Sequence, residues 1–329
     1  MTFKLVKYII YDELLINQLS ERSEKMKKCI VVYNPYSGKP VKKDFKEKIK
    51  KVLEKNNYCS KFIDTEYIGH AKKIVEEEKA DLIVSIGGDG TFSEVMSGNN
   101  NRKEKLLLTH MPLGTTNDVG TMYGYGKDIV KNLEMSMDGN IKEIDLCTIN
   151  NTPFTYVAGF GKFLNVPYET SREKKKKLGH IAYILEGVKE FGKNTKTYDI
   201  TYEINGKTIR DKFSFMIASN SNRIAGINHF YKNIKLDDGK FEVLFCKLTK
   251  KTDILKGLLT ILNGDITKAN GFIFYRTDNL KLKFNEPLDK NWCIDGEKLP
   301  NITNEYEIKS KTKTKILIPN KNIKSLFTN

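Results

Sequence analysis

The spacing of apolar residues changes its period once along this chain, near residue 145. Before that point short β-branched runs alternate with segments whose apolar residues recur at helical spacing. "KCIVVYN" (28–34), "YCSKFIDT" (58–65), "ADLIVSIGG" (80–88) and "KLLLTHMPLG" (105–114) read as strands. "VKKDFKEKIKKVLEKNN" (41–57) places Phe45, Ile49, Val52 and Leu53 on one face of a helix. "GHAKKIVEEEK" (69–79) and "TFSEVMSGN" (91–99) read as two more helices. Strands alternating with helices predict βαβ units and a parallel sheet with helices on its faces.

Beyond 145 the period becomes two. "IDLCTINNTPFTYVAGF" (144–160), "KTYDITYEINGKTIRDKFSFMIASNS" (196–221) and "FEVLFCKL" (241–248) are rich in Thr, Tyr, Phe and Ile. "DNLKLKFN" (278–285), "WCIDGE" (292–297), "NEYEIKS" (304–310) and "TKILIP" (314–319) continue the pattern. "INGK" (204–207) is a hairpin turn. This half predicts an antiparallel β-sandwich with helical inserts at 176–192 and 252–264. The expected division is an extension over 1–25, an α/β domain over 26–145 and a β-sandwich domain over 146–329, with the C-terminal residues packing back on the first domain.

Composition narrows the classes. The 329 residues suit two domains, and 39% hydrophobic residues fill a normal core. Five scattered cysteines form no CxxC pair, which fits a reducing cytoplasm. The N-terminal stretch is interrupted by Asp12 and Glu13 and is no signal peptide. No apolar run approaches the roughly 18 residues of a membrane helix, so a soluble protein is expected. A net charge of +15 favours an anionic partner. No zinc finger, aromatic-rich RNA-binding motif or long basic helix is present, so nucleic acid is not expected as that partner. Basic runs such as "REKKKK" (172–177) read first as solvated faces.

Three turn clusters fall at the carboxyl edge of the predicted parallel sheet, where such folds bind ligands. They are "NPYSG" (34–38), "GGDGT" (87–91) and "PLGTTND" (112–118). The glycines let backbone approach a ligand. Thr91 and Glu94 have the spacing of a capping box, which predicts a helix start at Thr91 with free N–H groups facing a phosphate. Asp89 in such a loop implies a metal between the two anions. Asn117 and Asp118 bring a second carboxylate, and Asp145 is a candidate third. By pattern alone "LDDG" (236–239) and "IDGEKL" (294–299) are turns.

Taken together these motifs resemble the soluble bacterial lipid kinases of the diacylglycerol kinase family. The resemblance runs in order through "VVYNPYSGK", "TEYIGHA", "SIGGDGTFSEVMSG", "MPLGTTND", "GFGKFLNVPYET", "KKLGHIAYILEG", "KLDDGKFEV" and "DGE", over about 28–300. It implies a Rossmann-like, phosphofructokinase-like α/β nucleotide domain and a β-sandwich that takes the lipid. It implies ATP contacts at Asn34, Pro35, Tyr36, Ser37, Gly38, Thr65, Gly88, Asp89, Gly90, Thr91, Phe92, Ser93, Glu94 and Thr115. It makes Glu297 the general base, with Asp295 beside it, and assigns an Mg2+ network to Asp89, Asp118 and Asp145. A structural divalent ion is implied at the Asp238 carboxylate and the carbonyls of Lys235 and Lys240. The implied reaction is phosphorylation of a lipid hydroxyl, above all that of diacylglycerol to phosphatidic acid, at the anionic inner face of the membrane. The family's frequent dimers leave a homodimer open. One departure is Val119-Gly120-Thr121-Met122, where the family often has Phe-Ala or Phe-Gly-Arg. The alternatives are a soluble-substrate kinase of the NAD kinase type and a non-catalytic lipid-binding protein on the same fold. "PLGTTND" and "GFGKFLNVPYET" count against the first, and retention of Asp89 and Glu297 against the second.

Overall fold

The computed structural model describes residues 26–38, 40–161, 196–228, 230–250, 252–253, 266–288, 291–299, 302–320 and 323–328. The expected extension at 1–25, the "REKKKK" run, most of "GFGKFLNVPYET", the insert at 176–192 and nearly all of the insert at 252–264 lie outside them.

The first half is built from β1 (Lys27–Tyr33), α1 (Phe45–Lys55), β2 (Tyr58–Asp64), α2 (His70–Glu77), β3 (Leu82–Gly87), α3 (Asp89–Asn101), β4 (Leu107–Pro112), α4 (Asp118–Met122) and α5 (Ile129–Met137). β2, β1, β3 and β4 pair in parallel in that order. Every residue of β3 is buried, as expected of a parallel strand covered on both faces. α1 buries Phe45, Ile49, Val52 and Leu53, the four positions its periodicity marks.

The second half contains β5 (Asn140–Ile149), β6 (Thr152–Phe154), β7 (Val157–Gly161), β8 (Tyr198–Ile204), β9 (Lys207–Phe213) and β10 (Phe215–Ser219). β11 (Arg223–Ile224), β12 (Ile227–Asn228), β13 (Phe241–Cys246), β14 (Phe272–Thr277) and β15 (Asn279–Phe284) follow. β16 (Cys293–Ile294), β17 (Glu297–Lys298) and β18 (Glu305–Ile318) end the chain's strands. The β8–β9 hairpin turns at Asn205 and Gly206, both at positive φ, as a primed two-residue turn requires.

β18 is the element that joins the halves. Two strands are expected from "NEYEIKS" and "TKILIP", but they form one strand of 14 residues. It pairs with β15 and β5 antiparallel, and with β4 in parallel through Ile316 and Leu108. The result is a mixed ten-stranded sheet, ordered β2-β1-β3-β4-β18-β15-β8-β9, with β5 and β6 joined to it through β18. β5 itself runs through the expected boundary at residue 145. A separate antiparallel sheet is ordered β14-β13-β10-β7-β16-β17. Alternate residues of β8 and β15, including Tyr198, Ile200, Leu280 and Leu282, share one core with Phe160, Met216, Val243 and Phe245 of that second sheet. Trp292 is fully buried in the same core and packs against Phe160 and Tyr306.

His110 on β4 is fully buried and stacks on Phe92 of α3, with ring centroids 4.6 Å apart. Burial pushes its imidazole down to about 3 from 6.5, against a hydrogen bond with Ser85. Below the unfolded value the unfolded chain takes up a proton that the folded chain refuses, so stability falls with pH. The expected extra loss is about 1.4 kcal/mol per pH unit below about pH 6.5. Denaturant titrations of wild type and His110→Gln should show a shallower acid limb in the variant; identical limbs would remove His110 as the cause.

Candidate active site

The three turn clusters meet backbone to backbone. Gly38 sits at φ +60°, and a Cβ there would lie 1.6 Å from the carbonyl oxygen of Leu113. A Cβ on Gly114 would lie 2.8 Å from Cα of Gly88. Gly88 N–H donates to Ser37 Oγ at 3.2 Å, and Leu113 N–H donates to the Gly87 carbonyl at 2.6 Å. Asn34 Nδ2 donates to Thr91 Oγ1 at 2.9 Å. Thr65, buried at the end of β2, donates its N–H to the Tyr33 carbonyl. Tyr36 and Thr115 stand exposed on the same rim. Gly38→Ala combines a strained φ with a clash against fixed backbone, so it should separate the first and third loops. A lower melting temperature is the expected result, read by calorimetry.

Helix α3 starts two residues earlier than the Thr91–Glu94 spacing predicts. Gly88 is its N-cap in extended conformation, and Phe92 N–H already bonds the Gly88 carbonyl. Thr91 therefore lies within the first turn, where it receives Asn34. Glu94 faces the neighbouring helix instead: its carboxylate accepts the N–H groups of Gly69 at 2.9 Å and Ala71 at 3.1 Å, capping α2. Burial raises the Glu94 pKa, these bonds oppose the rise, and the nearby charge of Glu297 adds to it.

Asp89 also has a partner in the fold. Its carboxylate accepts the N–H of Asp118 at 2.9 Å and of Val119 at 3.1 Å. It thereby caps α4, whose own N-cap, Asn117, makes no such bond. Val119 and Met122 are buried, and Gly120 packs against the Pro112 ring, so the departure from the family pattern is absorbed by close packing. Asp118 is buried; its Oδ1 accepts Gly226 N–H at 2.9 Å and lies 3.1 Å from Arg223 Nε. Desolvation, then the charge of Asp118, holds the Asp89 carboxyl well above the ordinary carboxylate range. The two carboxylates repel one another, but Asp89 spends both oxygens on N–H groups and Asp118 faces Arg223, so a divalent cation here would have to be held through water or displace those partners.

Asp295 is buried at φ +48°, the first residue of a tight turn completed by Gly296. Its carboxylate accepts Ser93 Oγ–H at 2.6 Å and the N–H groups of Thr155, Tyr156 and Val157 at 2.6, 3.0 and 3.2 Å. It thus ties α3 of the first half to the β6–β7 connection of the second. Glu297, two residues on, is exposed on the edge strand β17.

The other expected acids lie elsewhere. Asp145 accepts Gly239 N–H at 2.6 Å and neighbours Lys313, Asp237 and Asp238. It belongs to the "LDDG" turn. There Asp238 Oδ1 accepts Lys240 N–H and Oδ2 accepts Arg276. Lys235 directs its side chain to the carbonyls of Ser325 and Phe327. The Asp238 carboxylate is thereby shared between protein donors and does not fit a divalent ion as it stands. Among the described residues no cluster of three acidic, His or Cys side chains could hold a metal. The β11–β12 hairpin, which brings Arg223 and Gly226 over Asp118, was not expected. Its only trace in the sequence is the turn-rich "NSNRIAG" after a buried strand.

Residues 28–149 match the diacylglycerol kinase catalytic domain. The chain is 26% identical over 276 residues to the diacylglycerol kinase of Bacillus subtilis, covering 83% of this chain and 90% of that protein. It is 29% identical over 280 residues to that of Staphylococcus epidermidis, covering 83% and 88%. A crystal structure of a diacylglycerol kinase from Bacillus anthracis superposes with a TM-score of 0.72 at 23% identity, over 90% of this chain and 98% of that one; at that identity the likeness speaks to fold. Among the described residues no helix is long and apolar enough to cross a membrane.

Proposed function

We propose, from the premise that this chain belongs to the diacylglycerol kinase family, that it is a magnesium-dependent lipid kinase. It transfers the γ-phosphoryl group of ATP to the hydroxyl of diacylglycerol, giving phosphatidic acid and ADP. The observation that carries this reading is the meeting of three glycine loops beside Asp89 and Asp118, with Asp295, two residues before Glu297, bonded to Ser93 on the same helix as Asp89.

The loops 34–38, 88–94 and 112–115 bind the nucleotide, with the second half read as the β-sandwich that receives the lipid. The first N–H groups of α3 have no intrahelical acceptor and suit the phosphates. Asp89 and Asp118 would hold the magnesium ion, directly or through water. When bound, that ion neutralises charge developing on the phosphoryl oxygens. Glu297 takes the proton from the lipid hydroxyl as its oxygen bonds to the γ-phosphorus and the bond to the β-phosphate oxygen breaks. Asp295 acts through position: it fixes the turn that aims Glu297. A surface of net charge +15 docks on anionic lipid, each well-placed Lys contributing about 1 kcal/mol.

The test is labelled ATP offered with a panel of lipids in anionic vesicles and with soluble alcohols. Transfer to diacylglycerol, weakening as salt rises, is expected; transfer confined to soluble alcohols would overturn the reading.

A further inference from the structure

The family resemblance implies a divalent ion on the Asp237–Gly239 turn, where Arg276 bonds the Asp238 carboxylate. Arg276 stands on β14 directly opposite Glu242 on β13. Its guanidinium reaches Asp238 Oδ2 through Nη2 and lies 3.5 Å from Glu242 Oε1 through Nε. One guanidinium thus faces two carboxylates, and one of those, Glu242, is buried. The rest of the turn is held by protein groups too. Gly239 N–H bonds Asp145 Oδ2 at 2.6 Å, and the Asp237 carboxylate accepts the N–H and hydroxyl of Thr328. Lys313 Nζ donates to the Asp237 carbonyl at 3.0 Å. Arginine stays charged at any pH a protein survives, so it cannot yield by losing a proton. A divalent ion on Asp238 would have to sit against that charge or expel it.

We propose that Arg276 is the resident cation of this turn, standing where the family resemblance places a divalent ion. The turn, with Asp145 and the C-terminal residues bonded to it, then keeps its shape without metal. This inference rests on the family resemblance for the ion's place and is independent of the proposed reaction. Removing the guanidinium exposes Asp238 beside Glu242, whose Oε2 has no hydrogen-bond partner in the structure. That pair is a two-carboxylate site that magnesium could enter.

The experiment is thermal unfolding of the full chain without nucleotide, in chelator and in millimolar magnesium. Wild type and Asp238→Asn should show the same response to magnesium. Arg276→Gln should melt lower in chelator, by at least roughly 2–4 °C, and recover in magnesium. Recovery should vanish in Arg276→Gln combined with Asp238→Asn. A magnesium-dependent rise in wild type that Asp238→Asn removes would overturn the proposal, whether or not the arginine variant folds.

Discussion

Glu297→Gln is expected to give a folded protein whose phosphoryl transfer is slower by about 10²–10⁴-fold, the usual worth of a positioned general base. The two side chains match in size, but the amide cannot accept the lipid hydroxyl's proton. Glu297 is exposed on a short edge strand held through its backbone pairing with Ile294. Surface exchanges of this kind leave stability nearly unchanged. The loss should therefore fall on kcat, with KM for ATP and melting temperature as in wild type. Steady-state kinetics and calorimetry on one preparation separate these outcomes. A variant with wild-type kcat would remove Glu297 from the chemistry, and one that is inactive because it is unfolded would make its role structural.

Asp295→Ala should have the opposite character, destabilising the fold by about 3–5 kcal/mol. The carboxylate takes four donors, three of them backbone N–H groups of consecutive residues near β7. Without it those N–H groups are buried and unmet, each costing about 1–3 kcal/mol in a non-additive sum. Alanine also tolerates the positive φ of this turn poorly, whereas asparagine adopts it readily. Asp295→Asn should thus retain part of the stability, since one oxygen remains to accept a bond. Ser93→Ala removes a single donor and should cost least. Denaturant midpoints in the order wild type, Ser93→Ala, Asp295→Asn, Asp295→Ala are expected. If the two Asp295 variants kept wild-type stability and lost only rate, Asp295 would be a chemical participant.

Much of this was legible in the sequence where structure is local. β3 and α1 follow from runs and spacings of their own residues. The Asn205-Gly206 and Asp295-Gly296 turns follow from the residue types that accept positive φ. What could not be read depends on partners distant in sequence. β18 reads as two strands because "KSKTKTK" between its apolar ends carries no apolar pattern. Its continuity comes from β5 and β15 alongside it. Glu94 looks like half of a capping box, and only the approach of α2 shows that it caps a neighbour. Asp89 reads as a metal ligand in a glycine loop; in the structure its carboxylate caps α4, through N–H groups 29 and 30 residues away. Asp145 looks like a third acid of the same site, yet the β5–turn contact draws it to Asp237–Gly239.

Phosphoryl delivery by these loops to a lipid hydroxyl is the proposed reaction. It is tested most directly in one tube holding the full protein, magnesium, γ-labelled ATP, NAD and anionic vesicles containing diacylglycerol. Label is expected in the organic extract as phosphatidic acid, with none in NADP, and that product should be lost with Glu297→Gln. Label in NADP with none in the organic phase would contradict it.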